Sequence, residues 1–97
     1  MADKKARFDT GKIVYTPGAL EALTNENGQF AFNAAMYILR HQRGDWGDVP
    51  PEDAQENELS IEHGYRILSS YDHEGTKIWL ITEADRSVTT FLLPSEY

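Results

Sequence analysis

Tyr65-Arg66-Ile67-Leu68-Ser69-Ser70-Tyr71, Lys77-Ile78-Trp79-Leu80-Ile81-Thr82-Glu83 and Ser87-Val88-Thr89-Thr90-Phe91-Leu92-Leu93 are three runs rich in β-branched and aromatic residues. Side chains alternate at a period of two within them, the spacing that puts every second residue on one face of a strand. Asp72-His73-Glu74-Gly75-Thr76 and Ala84-Asp85-Arg86 separate the runs and suit hairpin loops, so the last third of the chain is expected to be a three-stranded antiparallel meander. With Tyr71 placed opposite Thr76, Glu83 falls opposite the start of the first strand, beside His63 and Gly64. One end of the sheet then collects His63, Glu83, Asp85 and Arg86. His63 and His73 lie ten positions apart along what is mostly strand, about 30 Å, too far to share a metal ion.

Upstream of Gly64 the period changes to that of helices. Pro51 can open a helix, Glu52 and Asp53 suit its positive N-terminus, and Gly64 suits the residue that ends it. Phe30, Phe32, Ala34, Ala35, Tyr37, Ile38 and Leu39 recur at helical spacings, which predicts a second helix from about Gln29 to His41, stopped at Gly44. Arg40, His41 and Arg43 would place positive charge at its negative end. Thr16-Pro17 is an N-cap followed by proline at the first helical position, so a short helix begins there. Lys12-Ile13-Val14-Tyr15 before it is expected to be a short edge strand. Asn25-Glu26-Asn27-Gly28 is a turn, and Asp45 to Pro51 a stiff loop. The reading is therefore α+β, one domain over residues 11–97, with two to three N-terminal helices on one face of the sheet. Residues 1–10 are expected to form a flexible tail.

Composition narrows the function classes. Ninety-seven residues suit one domain, and the absence of cysteine removes disulfides, thiolate metal sites and cysteine nucleophiles. No run approaches the length of a membrane span and no secretory pattern is read, so a cytoplasmic protein away from membranes is expected. Sixteen acidic against nine basic residues give a net charge of −7, which repels phosphate backbones and makes direct nucleic-acid binding a poor expectation. The same acidity suits a protein partner with a basic surface. No phosphate-cradling glycine loop, H-E-x-x-H, G-x-S-x-G or EF-hand spacing occurs, so no cofactor and no metal are expected.

Two segments concentrate groups able to do chemistry. In the first, His41 is a candidate general acid or base, Asp45 its orienter, Asp48 a second carboxylate and Trp46 a stacking wall. Equally, Trp46 between Gly44 and Gly47 can plug the core while Asp45 accepts backbone N–H groups. In the second, Arg86 can clamp a phosphate or carboxylate, with Glu83 or Asp85 as base and Thr89 nearby. The same residues also suit an ordinary hairpin end. If the two segments meet, a small hydrolase acting on a phosphate-containing compound is the enzymatic reading. Self-association through a sheet edge or through Phe91-Leu92-Leu93-Pro94 is a further one.

His41-x-x-Gly44-Asp45-Trp46-Gly47, then Asn57-Glu58, Gly64-x-Arg66-Ile67-Leu68-Ser69-x-Tyr71, Trp79-x-Ile81-Thr82-Glu83-Ala84-Asp85-Arg86-Ser87-x-Thr89-Thr90 and Leu92-Leu93-Pro94-Ser95-Glu96-Tyr97 form a recurring pattern. It resembles a family of short bacterial, plasmid and phage proteins whose members are labelled plasmid-related protein or type I restriction endonuclease subunit M. The resemblance spans about Gly11 to Tyr97. It implies an intracellular protein associated with mobile elements and carries over no catalytic residue. With the acidic charge, the favoured reading is a small accessory protein that binds another protein, such as a defence or nucleic-acid-processing complex. Methyl transfer is rejected, because Val49-Pro50-Pro51-Glu52 lacks the acidic or amide residue and the aromatic that such a motif needs and the chain is too short for the doubly wound sheet.

Overall fold

The computed structural model describes residues 5–24 and 27–97. In chain order the elements are β1 (Lys12–Tyr15), α1 (Pro17–Leu23), α2 (Phe30–Gln42), α3 (Pro51–His63), β2 (Ile67–His73), β3 (Thr76–Thr82) and β4 (Val88–Leu92), closed by a 3₁₀ turn at Pro94–Glu96. Strand order is β1-β4-β3-β2. The β2-β3-β4 meander is antiparallel as expected, but β1 joins β4 in parallel, so the sheet is four-stranded and mixed.

Local chemistry explains the helix ends. Thr16 caps α1, its Oγ1 accepting from Ala19 N–H, and Pro17 fills the first helical position. Pro51 opens α3, and Gly64 ends it in the left-handed region at φ 77°. Asn25 and Glu26 of the expected turn lie outside the described residues.

Three expectations need correction. The β2-β3 register is shifted by two residues: His73 faces Thr76, Tyr71 faces Ile78, and Arg66 rather than Gly64 comes level with Glu83. The cause is the turn. Glu74 and Gly75 both have positive φ, 52° and 90°, a two-residue turn whose twist matches that of the strands, so the ladder continues to His73 and Thr76. The Asp72–Thr76 loop therefore shrinks to Glu74-Gly75, with Asp72 Oδ1 accepting from Gly75 N–H.

The second correction concerns the tail. Residues 1–4 lie outside the described residues, but the segment docks from Arg7 onward. Arg7 pairs with Glu58, its N–H donates to Gln42 C=O, and Phe8 is only 9% exposed inside a cluster with Trp46 and Ile67. An aromatic ring with a waiting cavity outweighs the chain-end entropy that favoured a loose segment.

The third is the apolar face of α2. Two apolar stripes run down opposite sides of this helix. Phe30, Ala34, Tyr37 and His41 recur at i, i+4, i+7 and i+11 and face the sheet, whereas Phe32, read in one apolar set with the first three, is 67% exposed. The main core joins Ala19 and Leu23 of α1, Ala34 and Tyr37 of α2, and Tyr71, Ile78, Leu80 and Phe91 from one face of the sheet.

Candidate functional site

His41 projects from the last turn of α2 onto the sheet and is fully buried. Its Nδ1 lies 2.6 Å from Ser69 Oγ and its Nε2 2.9 Å from Thr82 Oγ1. Thr82 Oγ1 is 2.6 Å from Thr89 Oγ1, which donates to Thr10 C=O at 2.9 Å. Ser69, Thr82 and Thr89 are themselves completely buried.

Each hydroxyl carries one proton, and this fixes the direction of the chain. A carbonyl only accepts, so the Thr89 proton goes to Thr10, and Thr82 must donate to Thr89. Thr82 then accepts from His41 Nε2–H, leaving Nδ1 as a lone pair that accepts from Ser69 O–H. One tautomer of neutral imidazole satisfies every partner. Burial, reinforced by the nearby Arg86 charge, lowers the His41 pKa from 6.5 to about 3, so the ring stays neutral. The expected positive charge at the end of α2 therefore comes from Arg40 and Arg43 and not from His41.

Phe8 and Trp46 seal the ring. Phe8 meets His41 edge-on at 5.0 Å, Trp46 meets it edge-on at 6.1 Å, and Phe8 and Trp46 stack on each other. Trp46 is buried, with its indole N–H directed at Glu58 Oε2. The fit requires Gly47 in the left-handed region at φ 77°, since a Cβ there would stand 1.8 Å from Ser70 O.

The two candidate segments do approach each other, through Phe8: the Arg86 guanidinium sits 5.8 Å from the Phe8 ring, which itself packs edge-on against His41. Yet Arg86 is engaged. Its Nη1 donates to the carbonyls of Tyr65, Glu83 and Ala84, and its Nη2 to that of Ser60. Arg86, held at φ 62°, ties the end of α3 to the β3-β4 turn. An anion would have to displace these carbonyls.

The remaining candidates scatter. Asp45 pairs with Arg40 at 2.7 Å and accepts from Gly47 N–H, while its carbonyl accepts from Tyr71 O–H, so it does not orient His41. Asp48 pairs with Lys77 at 2.9 Å, a contact that lowers its pKa, and lines a shallow cleft of about 280 Å³ with Arg40, Gly47, Ser70, Tyr71 and Asp72. Glu83 pairs with Arg66, Asp85 accepts from Ser87 N–H, and Thr89 belongs to the buried chain of hydroxyls. His63 is exposed beside Glu62 and Tyr65 rather than gathered with Glu83. His73 is buried at the other end of β2, its Nδ1 2.9 Å from Tyr37 Oη. Among the described residues no three His, Asp or Glu side chains form a group able to hold a metal ion, and no helix is long and apolar enough to cross a membrane.

What the sequence reading missed is on the surface. Phe32 (67% exposed), Met36 (38%) and Leu39 (49%) recur at i, i+4 and i+7 along the outer side of α2, with Arg43 continuing the line. Phe30–Gln42 contains no acidic residue in a chain of net charge −7. The available signal was the second stripe itself: a helix needing one apolar face carries two. Elsewhere on the surface α3 carries exposed acids, Glu52, Glu56 and Glu62.

No protein-family model, curated protein or solved structure matches the chain.

Proposed function

We propose that this chain is a small accessory protein that acts by binding another protein, with the outer face of α2 as the contact. The observation that carries this reading is the exposed line Phe32, Met36 and Leu39. Large apolar side chains presented together are what anchor protein interfaces, and surrounding charge sets encounter rate and selectivity. The net charge of −7 favours a partner that carries basic residues around an apolar groove. A defence or nucleic-acid-processing complex, in the setting of a mobile element or bacterial genome and inside the cell, fits the resemblance carried by the Gly44–Gly47 and Ile81–Thr90 segments. The hydrolase reading receives no comparable support, because His41 is sealed and Arg86 and Asp45 hold the fold.

Capture on the tagged chain, followed by reconstitution with the purified partner, tests the reading. Replacing Phe32→Asp together with Met36→Asp removes exposed side chains only, so folding stability should change by about 0.5 kcal/mol per site or less. Binding should weaken at least tenfold, and the wild-type association rate should fall as salt rises. A reconstituted complex indifferent to both substitutions would contradict the assignment.

A further inference from the structure

The two edges of the sheet are treated differently. On β2 the outward groups are occupied: Asn57 donates to Leu68 C=O at 2.7 Å and accepts from Leu68 N–H at 3.0 Å. Ser70 N–H donates to Trp46 C=O, and Ser70 C=O accepts from Asp48 N–H. An incoming strand finds that edge closed over Leu68 to Ser70.

The β1 edge is open. Lys12 N–H donates to Ser87 C=O and Thr16 N–H to Phe91 C=O, so in the alternating parallel ladder the even-numbered residues face β4. Ile13 and Tyr15 turn their N–H and C=O groups the other way, where they meet no partner among the described residues. α1 leaves the edge uncovered, since it folds back over β4.

We infer that β1 pairs antiparallel with β1 of a second copy of this chain, about a two-fold axis at Val14, to give one continuous eight-stranded sheet. In this register the free groups of Ile13 and Tyr15 pair with one another. Ile13 stands opposite Tyr15 of the second copy and exchanges both backbone hydrogen bonds with it, and the symmetric pair does the same. Side chains agree. Ile13 and Tyr15 already pack in the core, while Lys12, Val14 and Thr16 share the other face. Lys12, which is exposed, then lies opposite Thr16 of the second copy, whose hydroxyl donates to Glu96. The ammonium reaches that carboxylate, and symmetry makes the ion pair twice. A peptide strand from an unrelated protein could use the same backbone groups, but the Lys12 and Glu96 complementarity favours a second copy.

The test uses the whole chain, which contains no cysteine. Sedimentation of the wild type should show twice the 11.0 kDa chain mass at tens of micromolar. Val14→Cys should crosslink to a covalent dimer under mild oxidation, because residues facing each other at a non-hydrogen-bonded position hold their Cβ atoms about 4.5–5.5 Å apart. Gln55→Cys, on the outer face of α3, should not. Val14→Glu and Val14→Lys should each be monomeric, and mixing them should restore the dimer. Should circular dichroism show either one unfolded, Lys12→Glu, which alters only an exposed side chain, should weaken the dimer about tenfold instead. A wild type that stays monomeric into the hundreds of micromolar, or a dimer that ignores Val14 and Lys12, overturns the inference. The second outcome would move the contact to another surface such as α2.

Discussion

At the scale of single residues, the histidine that invites a catalytic reading has a structural role. A buried neutral imidazole bonded to the hydroxyls of Ser69 and Thr82 keeps both hydrogen bonds, in their present directions, only while it stays unprotonated. Its folded pKa of about 3 lies below the unfolded 6.5, so the unfolded chain binds more protons between these values. The stabilisation is fully present above pH 6.5 and is lost as pH falls toward 3. Between pH 7.5 and 4.5 the expected loss is about 2–3 kcal/mol, read by urea unfolding across that range. His41→Gln should be less stable at pH 7 but should flatten this part of the profile. An unchanged slope in His41→Gln would assign the pH dependence elsewhere. Arg86 makes a second residue-scale case. Lysine offers a point charge in place of a planar fork, so it cannot reach carbonyls of Ser60, Tyr65, Glu83 and Ala84 together. Arg86→Lys is expected to cost about 2–3 kcal/mol in thermal or urea unfolding.

At the scale of elements, the β2-β3 turn is the weak joint. Glu74 occupies the left-handed region at φ 52°, a conformation that asparagine accepts more readily than glutamate. Glu74→Asn should therefore stabilise the protein by about 0.5–1 kcal/mol, seen as a rise in Tm with the register unchanged. A lower Tm would show that the Glu74 side chain contributes more than its backbone strain costs. The same turn marks where sequence reasoning lost accuracy. Its strands were legible from their alternation, and Thr16-Pro17, Pro51 and Gly64 announced their helix ends. Glu-Gly is a poor advertisement for a two-residue turn, and the register moved by two as a result. On α2 the failure was one of counting: Phe30, Ala34, Tyr37 and His41 fall on one line, so the spacing itself placed His41 in the core. Phe32, Met36 and Leu39 fall on the opposite line, and reading Phe32 and Leu39 in one apolar set with Phe30, Ala34 and Tyr37 concealed the surface stripe. Phe8 was hidden because nothing local in a polar segment says that a cavity 30 to 80 residues away awaits its ring.

At the scale of the whole molecule, the polar residues divide by task. Those able to do chemistry hold the interior and its joints together: His41 between helix and sheet, Asn57 across the β2 edge, Arg86 between α3 and the last turn. What remains available lies outside, as an apolar line on α2, an acidic face on α3 and an open strand edge at β1. The binding role proposed above draws on that division, and on the imidazole being sealed and neutral. Nitrogen-detected NMR of the His41 ring is the direct measurement. The expected spectrum shows a proton on Nε2, a bare Nδ1 and no titration from pH 8 down to 4.5. A ring that titrates near 6.5, or that carries its neutral-state proton on Nδ1, would contradict the hydrogen-bonded chain from Ser69 to Thr10 and return His41 to the list of groups free to move protons.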